Sequence, residues 1–275
     1  MKDKIIRLDS HIHLGVCHNS LKSRNKDELV STVLDVKQYI EREELSHAVI
    51  FYSDKNEMDE LREELPNVKL YSVRWVTNLS QFPDKDDIGI KLHSSRGKSS
   101  KDEYGIDYTS IKLFNYLQKL EKGTKVFLHT QGSTSVTNKA RPWAIANLAI
   151  KNPDLKFIIC HSGSYGLHSY YPETFHKNHT FTAMSHELLV RESIYAAKNI
   201  PNIKLDCSIL ISVSHYKSKL LVEYGDFLTA SDFPFCKDSP LVSIKKQEKI
   251  IVSVDPLFDI TQLHEKNISF LEGIE

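Results

Sequence analysis

Two hydrophobic rhythms alternate along the chain. Short apolar, β-branched runs predict eight strands, at Ile5 to His13, Ala48 to Tyr52, Lys69 to Trp75, Gly89 to His93, Lys125 to His129, Lys156 to His161, Lys204 to Cys207 and Phe227 to Ser231. Between them, apolar residues recur every three or four positions. That spacing predicts helices at Lys26 to Leu45, Glu57 to Leu65, Thr109 to Lys122, Pro142 to Lys151, His186 to Lys198, His215 to Tyr224, Pro240 to Val252 and Ile260 to Leu271. The link from Thr77 to Asp87 is too short and polar for a helix, so the unit after the third strand is degenerate. Eight strands, nearly all separated by helices, favour a parallel sheet closed as a (β/α)8 TIM barrel over an open doubly wound sheet. The sequence also lacks the GxGxxG and Walker A loops that open sheets commonly carry at their switch point. It has no repeat, low-complexity tract or Pro/Ser-rich linker, so one domain spanning 1–275 is expected.

Composition narrows the partners. The 275 residues include 36 basic and 36 acidic side chains, for a net charge of zero, which leaves no electrostatic footprint for nucleic acid or an anionic membrane surface. The partners expected are a small-molecule substrate and, at most, further copies of the same chain, as a homo-oligomer. Met1-Lys2-Asp3-Lys4 leads straight into a strand, and Cys17, Cys160, Cys207 and Cys236 are scattered without CxxC spacing. Both features fit a cytoplasmic protein with reduced thiols.

The chemistry is concentrated at strand ends. His11 and His13 stand two apart in Leu8-Asp9-Ser10-His11-Ile12-His13, so both imidazoles face one side of a strand and can share a divalent ion. Lys91 and His93 end the fourth strand, His129 the fifth, His161 the sixth, and Ser231-Asp232-Phe233-Pro234 follows the eighth. In a barrel all these carboxyl ends meet at one mouth. Several polar side chains delivered to one rim, where burial is costly, point to a metal centre. Asp9 reads equally well as a support for the histidines or as a solvated strand-end charge. Trp143, Ile145 and Leu148 fit a helix face packed on the barrel.

The HxH pair, the Gly-Ile-Lys-Leu-His run, His129, His161 and Ser-Asp-Phe-Pro, in this order over nearly the whole chain, resemble the amidohydrolase superfamily. They are most similar to its amidohydrolase-related (amidohydrolase 2) branch, which also holds nonoxidative decarboxylases. The resemblance implies a mononuclear or binuclear divalent site with His11, His13, His129 and Asp232 as ligands. It places His161 either on the metal or beside it as acid, base or electrophile. Zinc is the first expectation, and manganese, iron or cobalt suits the same donors. Such an ion lowers the pKa of a water from about 15.7 toward about 7, with Asp232 able to take the proton.

Lys91 stands where some members carry a carboxylated, metal-bridging lysine. A substrate-binding role, a carbamate bridge and a plain core lysine are all open to it. Arg96 and Tyr165 are candidate substrate contacts because they directly follow strands, and His93, on the face of Lys91, reads as a substrate contact or a strand-end cap. The function expected is hydrolysis of a small amide, lactone or ester. An alternative is decarboxylation of an aromatic or unsaturated acid on the same metal, with Arg96 or Arg141 for the carboxylate. A binding or regulatory protein that merely retains the metal ligands is disfavoured by the complete ligand set. A TatD-like deoxyribonuclease is disfavoured by Lys91, where that family usually has glutamate, and by the neutral charge.

Overall fold

The computed structural model describes residues 6–16, 30–94, 106–130, 139–163, 179–208, 215–234 and 243–274. Its strands are β1 (Leu8–Val16), β2 (Val30–Ser31), β3 (His47–Tyr52), β4 (Lys69–Val76), β5 (Gly89–Leu92), β6 (Lys125–Leu128), β7 (Lys156–Ile159), β8 (Ile203–Asp206) and β9 (Phe227–Leu228). The helices are α1 (Val33–Glu43), α2 (Lys55–Glu64), α3 (Ile111–Leu117), α4 (Pro142–Lys151), α5 (His179–Asn199), α6 (His215–Tyr224), α7 (Ile244–Val254) and α8 (Ile260–Glu272). The sheet runs β2-β1-β3-β4-β5-β6-β7-β8-β9, with every pair parallel except the short β1–β2 pair. The segment after β9 returns to β1, where Ser10 N donates to Thr229 O at 2.8 Å, Asp232 N to His11 O at 2.9 Å and His13 N to Phe233 O at 2.8 Å. These bonds close eight parallel strands into a (β/α)8 barrel.

Period-two alternation sorts the strand residues. Val49, Phe51, Val73, Phe127, Ile158 and Leu228 fill the inside, and Leu271 of α8 packs with them. The alternate residues, such as Ile90, Leu92, Val126, Leu128, Phe157 and Leu205, face the surrounding helices. Gly89 is required by close strand approach, since a Cβ there would lie 2.0 Å from Lys125 O. Among the described residues no helix is long and apolar enough to cross a membrane.

Several boundaries differ from the sequence pattern for local reasons. The first helix begins at Val33 rather than Lys26, because Thr32 and Asp35 form a capping box and Val30–Ser31 pairs with β1. Ser110 Oγ accepts from Leu113 N and caps α3, and bonds from Lys119 N to Tyr116 O and Leu120 N to Leu117 O tighten the chain after Leu117, so the helix is shorter than Thr109 to Lys122. The fifth helix starts at His179, seven residues before the periodicity predicts. The β4–β5 link carries no helix, as expected. Ile145 and Leu148 are buried on the barrel, whereas Trp143 faces solvent at 39 % exposure, so only two of those three residues pack as expected.

Candidate metal centre

A bulge in β1 aims the histidines. Asp9 pairs with Ala48 and Ile12 with Ile50, so β1 spends three residues where β3 spends two. Leu8 belongs to the inner cluster and Ile12 and Leu14 to the outer one, with His11 and His13 between them turned inward. Asp9 is thereby separated from the imidazole face. Its Oδ2 accepts from Tyr39 OH at 2.7 Å, and its Oδ1 accepts from His11 N and Ser231 N, each at 3.0 Å. Asp9 is therefore fully buried rather than solvated, and it holds the backbone seam between β1 and the segment after β9. Burial outweighs those three donors and pushes its carboxyl up to about 6.

Asp232 reaches the same point from the other side of the seam. Its φ of +66° is left-handed, a costly conformation for a residue with a Cβ, and the bond from its N–H to His11 O holds it there. Asp232 Oδ1 lies 3.0 Å from His11 Nε2 and 3.2 Å from His13 Nε2, and the two Nε2 atoms are 3.2 Å apart. Three donor atoms thus form a nearly equilateral triangle. Burial raises the carboxyl of Asp232, but His11 and His161 and the hydrogen bonds from His11 and His13 pull it well below the usual range.

His161 also sits at positive φ, +56°, in a tight turn at Cys160–Gly163. Asp206 holds the turn. Its Oδ1 accepts from His161 N at 2.9 Å and Ser208 N at 3.0 Å, its backbone oxygen accepts from Ser162 Oγ at 2.7 Å, and its Oδ2 lies 2.7 Å from His11 Nδ1. Ser208 Oγ bonds the same carboxylate and lies 2.8 Å from His161 Nδ1. Burial raises the carboxyl of Asp206, yet the neighbouring His11 charge and hydrogen bond carry it below its ordinary value. The histidines diverge. Burial lowers His13 to about 3 and His161 to about 4. Burial and Lys91 also oppose charge on His11, but Asp206 and Asp232 on either side raise it well above the ordinary value.

His129 and His93 form the adjoining layer. His129 Nδ1 lies 3.1 Å from His161 Nε2, and its ring stacks on His93 with centroids 4.0 Å apart. Beside that triangle, the described residues form two further compact donor groups, His11 with His161 and Asp232, and His11 with Cys160 and Asp206. His129 therefore meets the cluster through His161. Lys91 is 1 % exposed, with Nζ 3.2 Å from His11 Nε2, 3.0 Å from Cys160 Sγ and 4.6 Å from the Phe51 ring centre. Arg141 stands at the N-cap position of α4 without a side-chain capping bond, and its guanidinium bonds Glu192 at 2.7 Å. Arg96 and Tyr165 lie outside the described residues. Asp206 and Ser208 carry much of the positioning and were not among the sequence candidates. The available signal was Lys204 and Asp206 alternating with Ile203 and Leu205, charged residues on the inward face of an apolar strand.

The donor set suits one divalent ion. Ligands at 2.0–2.1 Å in a tetrahedral zinc site stand about 3.3 Å from one another, close to the triangle of His11, His13 and Asp232. Asp232 Oδ2 is buried without a hydrogen-bond partner, an arrangement that a neighbouring cation compensates.

Neither a protein-family model nor a curated protein matches the sequence. Solved structures do match in fold. A probable 2-pyrone-4,6-dicarboxylic acid hydrolase from Acinetobacter baumannii, crystallised with citric acid bound, superposes with a TM-score of 0.61 at 13 % identity, over 97 % of this chain and 98 % of that one. The 5-carboxyvanillate decarboxylase of Sphingomonas paucimobilis gives 0.53 at 9 % identity, over 98 % and 99 %. At these identities the likeness concerns the barrel and its chain path.

Proposed function

We propose that this chain is a metal-dependent hydrolase of the amidohydrolase type, cleaving an amide, ester or lactone bond in a small molecule. The observation that carries the reading is the triangle of Asp232 Oδ1 with the Nε2 atoms of His11 and His13, buried beside the orphaned Asp232 Oδ2. His11, His13 and Asp232 would hold the ion, with His161 the next imidazole and His129 behind it. When bound, the ion supplies Lewis acidity toward water and a substrate carbonyl. Asp232 Oδ2, free of other bonds, is the atom placed to accept a proton. His161, kept neutral by burial, can donate to or accept from a reacting oxygen. Zinc fits the imidazole-rich donors best, with manganese, iron and cobalt as substitutes.

Decarboxylation of an aromatic or unsaturated acid is the second reading. Lys91 favours it, as an inward-facing cation for a carboxylate, while Arg141 is committed to Glu192. Lys91 as a substrate-anion contact and His93 as a wall of the pocket belong to both readings.

A panel of lactones, esters, amides and aromatic acids, assayed with metal-loaded and metal-stripped protein, tests the proposal. Hydrolysis lost on stripping and restored by reloading supports it. Carbon dioxide release without hydrolysis supports the second reading, and equal turnover in verified metal-free protein contradicts both.

A further inference from the structure

The end of the barrel opposite the histidines carries a separate arrangement of charge. Lys125 opens β6 and Lys156 opens β7, and the two are direct partners in the parallel register. Phe127 and Ile158, two residues on in each strand, belong to the inner cluster, so both lysines project to the inner side at the amino ends of their strands. On the other flank Lys125 pairs with Gly89, so β5 places no side chain over it. Lys125 is only 8 % exposed, and among the described residues its ammonium has no hydrogen-bond or ion-pair partner. Lys204 on β8 differs, since it meets Asp226 at 2.6 Å. Burial and the charge of Lys156 both work against a proton on Lys125. An ammonium held out of water without a counter-charge is costly, and a bound anion relieves that cost.

We propose that Lys125 and Lys156 form an anion site at the amino end of the barrel, taking a small tetrahedral oxyanion of the inorganic phosphate class. Adjacent strands lie about 4.8 Å apart, a separation that lets two ammonium groups donate to different oxygens of one anion. Such charge-assisted bonds are the stronger kind. The site is independent of the proposed catalytic centre, which sits at the carboxyl ends of the same strands.

Thermal unfolding in a titration of inorganic phosphate, with chloride holding ionic strength constant, tests this. Wild type should show a saturable rise in midpoint, as required of a ligand that binds the native state alone. The rise should vanish in Lys125→Met and persist in Lys91→Met, which removes the buried cation at the other end. Without phosphate, Lys125→Met should melt above wild type, because it removes a buried ammonium that no described residue pairs. Should Lys125→Met fail to fold, Lys156→Gln at the half-buried partner should weaken the phosphate response several-fold. No phosphate-specific rise in wild type, or a rise lost in Lys91→Met and kept in Lys125→Met or Lys156→Gln, would overturn the proposal.

Discussion

Asp206 Oδ2 accepts the Nδ1 proton of His11 at 2.7 Å, and in the neutral ring this fixes the tautomer that leaves a lone pair on Nε2, beside Asp232. A carboxylate behind a ligating imidazole sets its orientation and raises its basicity. Asp206→Asn removes the charge and permits the wrong tautomer, so metal affinity should fall about 10–100-fold. Competition against a chromogenic chelator measures this, and affinity equal to wild type would show that Asp206 serves the turn alone.

Asp232→Asn should lower turnover by about 10²–10⁴-fold with little change in the Michaelis constant. An amide cannot accept the proton that Asp232 Oδ2 is free to take, and that interaction matters chiefly in the transition state. Steady-state kinetics, with metal content checked in parallel, decides it. Near-normal turnover in fully metallated variant would remove Asp232 from the chemistry.

Lys91 presents a cation 3.2 Å from the His11 nitrogen that the ion would use. Removing that charge in Lys91→Met should retain one equivalent of metal and tighten its binding, since like charges no longer compete for one lone pair. A carbamate at Lys91 gives the opposite result. In that case wild type would hold two equivalents and need bicarbonate, and the variant would lose one.

Acid stability should depend on Glu248, far from the mouth. Its carboxylate takes two bonds from Arg7, at 2.6 and 2.9 Å, and lies 3.0 Å from His264 Nε2, tying α7 and α8 to the chain just before β1. Burial opposes ionisation, but His264 and Arg7 bring its pKa below the ordinary 4.5. A lowered folded pKa means that this stabilisation is complete above 4.5 and is lost as pH falls through the folded value. Glu248→Gln should therefore cost roughly 1–3 kcal/mol at neutral pH and flatten the acid limb of stability. Denaturant titrations across pH read both effects, and parallel acid limbs would contradict the assignment.

The barrel was legible because its strands are short apolar runs that end in polar residues, and His11, His13, His161 and Asp232 mark those ends. The β1 bulge was not. A one-residue insertion leaves no trace in hydropathy, yet it turns Asp9 away from the histidines and onto Tyr39 and Ser231. Asp206 was hidden for a related reason. Its role arises from His11 and His161, 195 and 45 residues away, which only the closed barrel brings to one carboxylate. The helix start at Val33 was within reach, because Thr32 and Asp35 have capping-box spacing inside the longer periodic run.

Metal content of the purified protein decides whether His11, His13 and Asp232 hold an ion. Elemental analysis after expression in metal-supplemented medium should find about one divalent ion per chain, removed by chelator with a fall in thermal midpoint and absent from a His11→Ala, His13→Ala double variant. Wild-type protein that carries no divalent ion, and whose unfolding is indifferent to chelation, would rule out a metal centre at these residues.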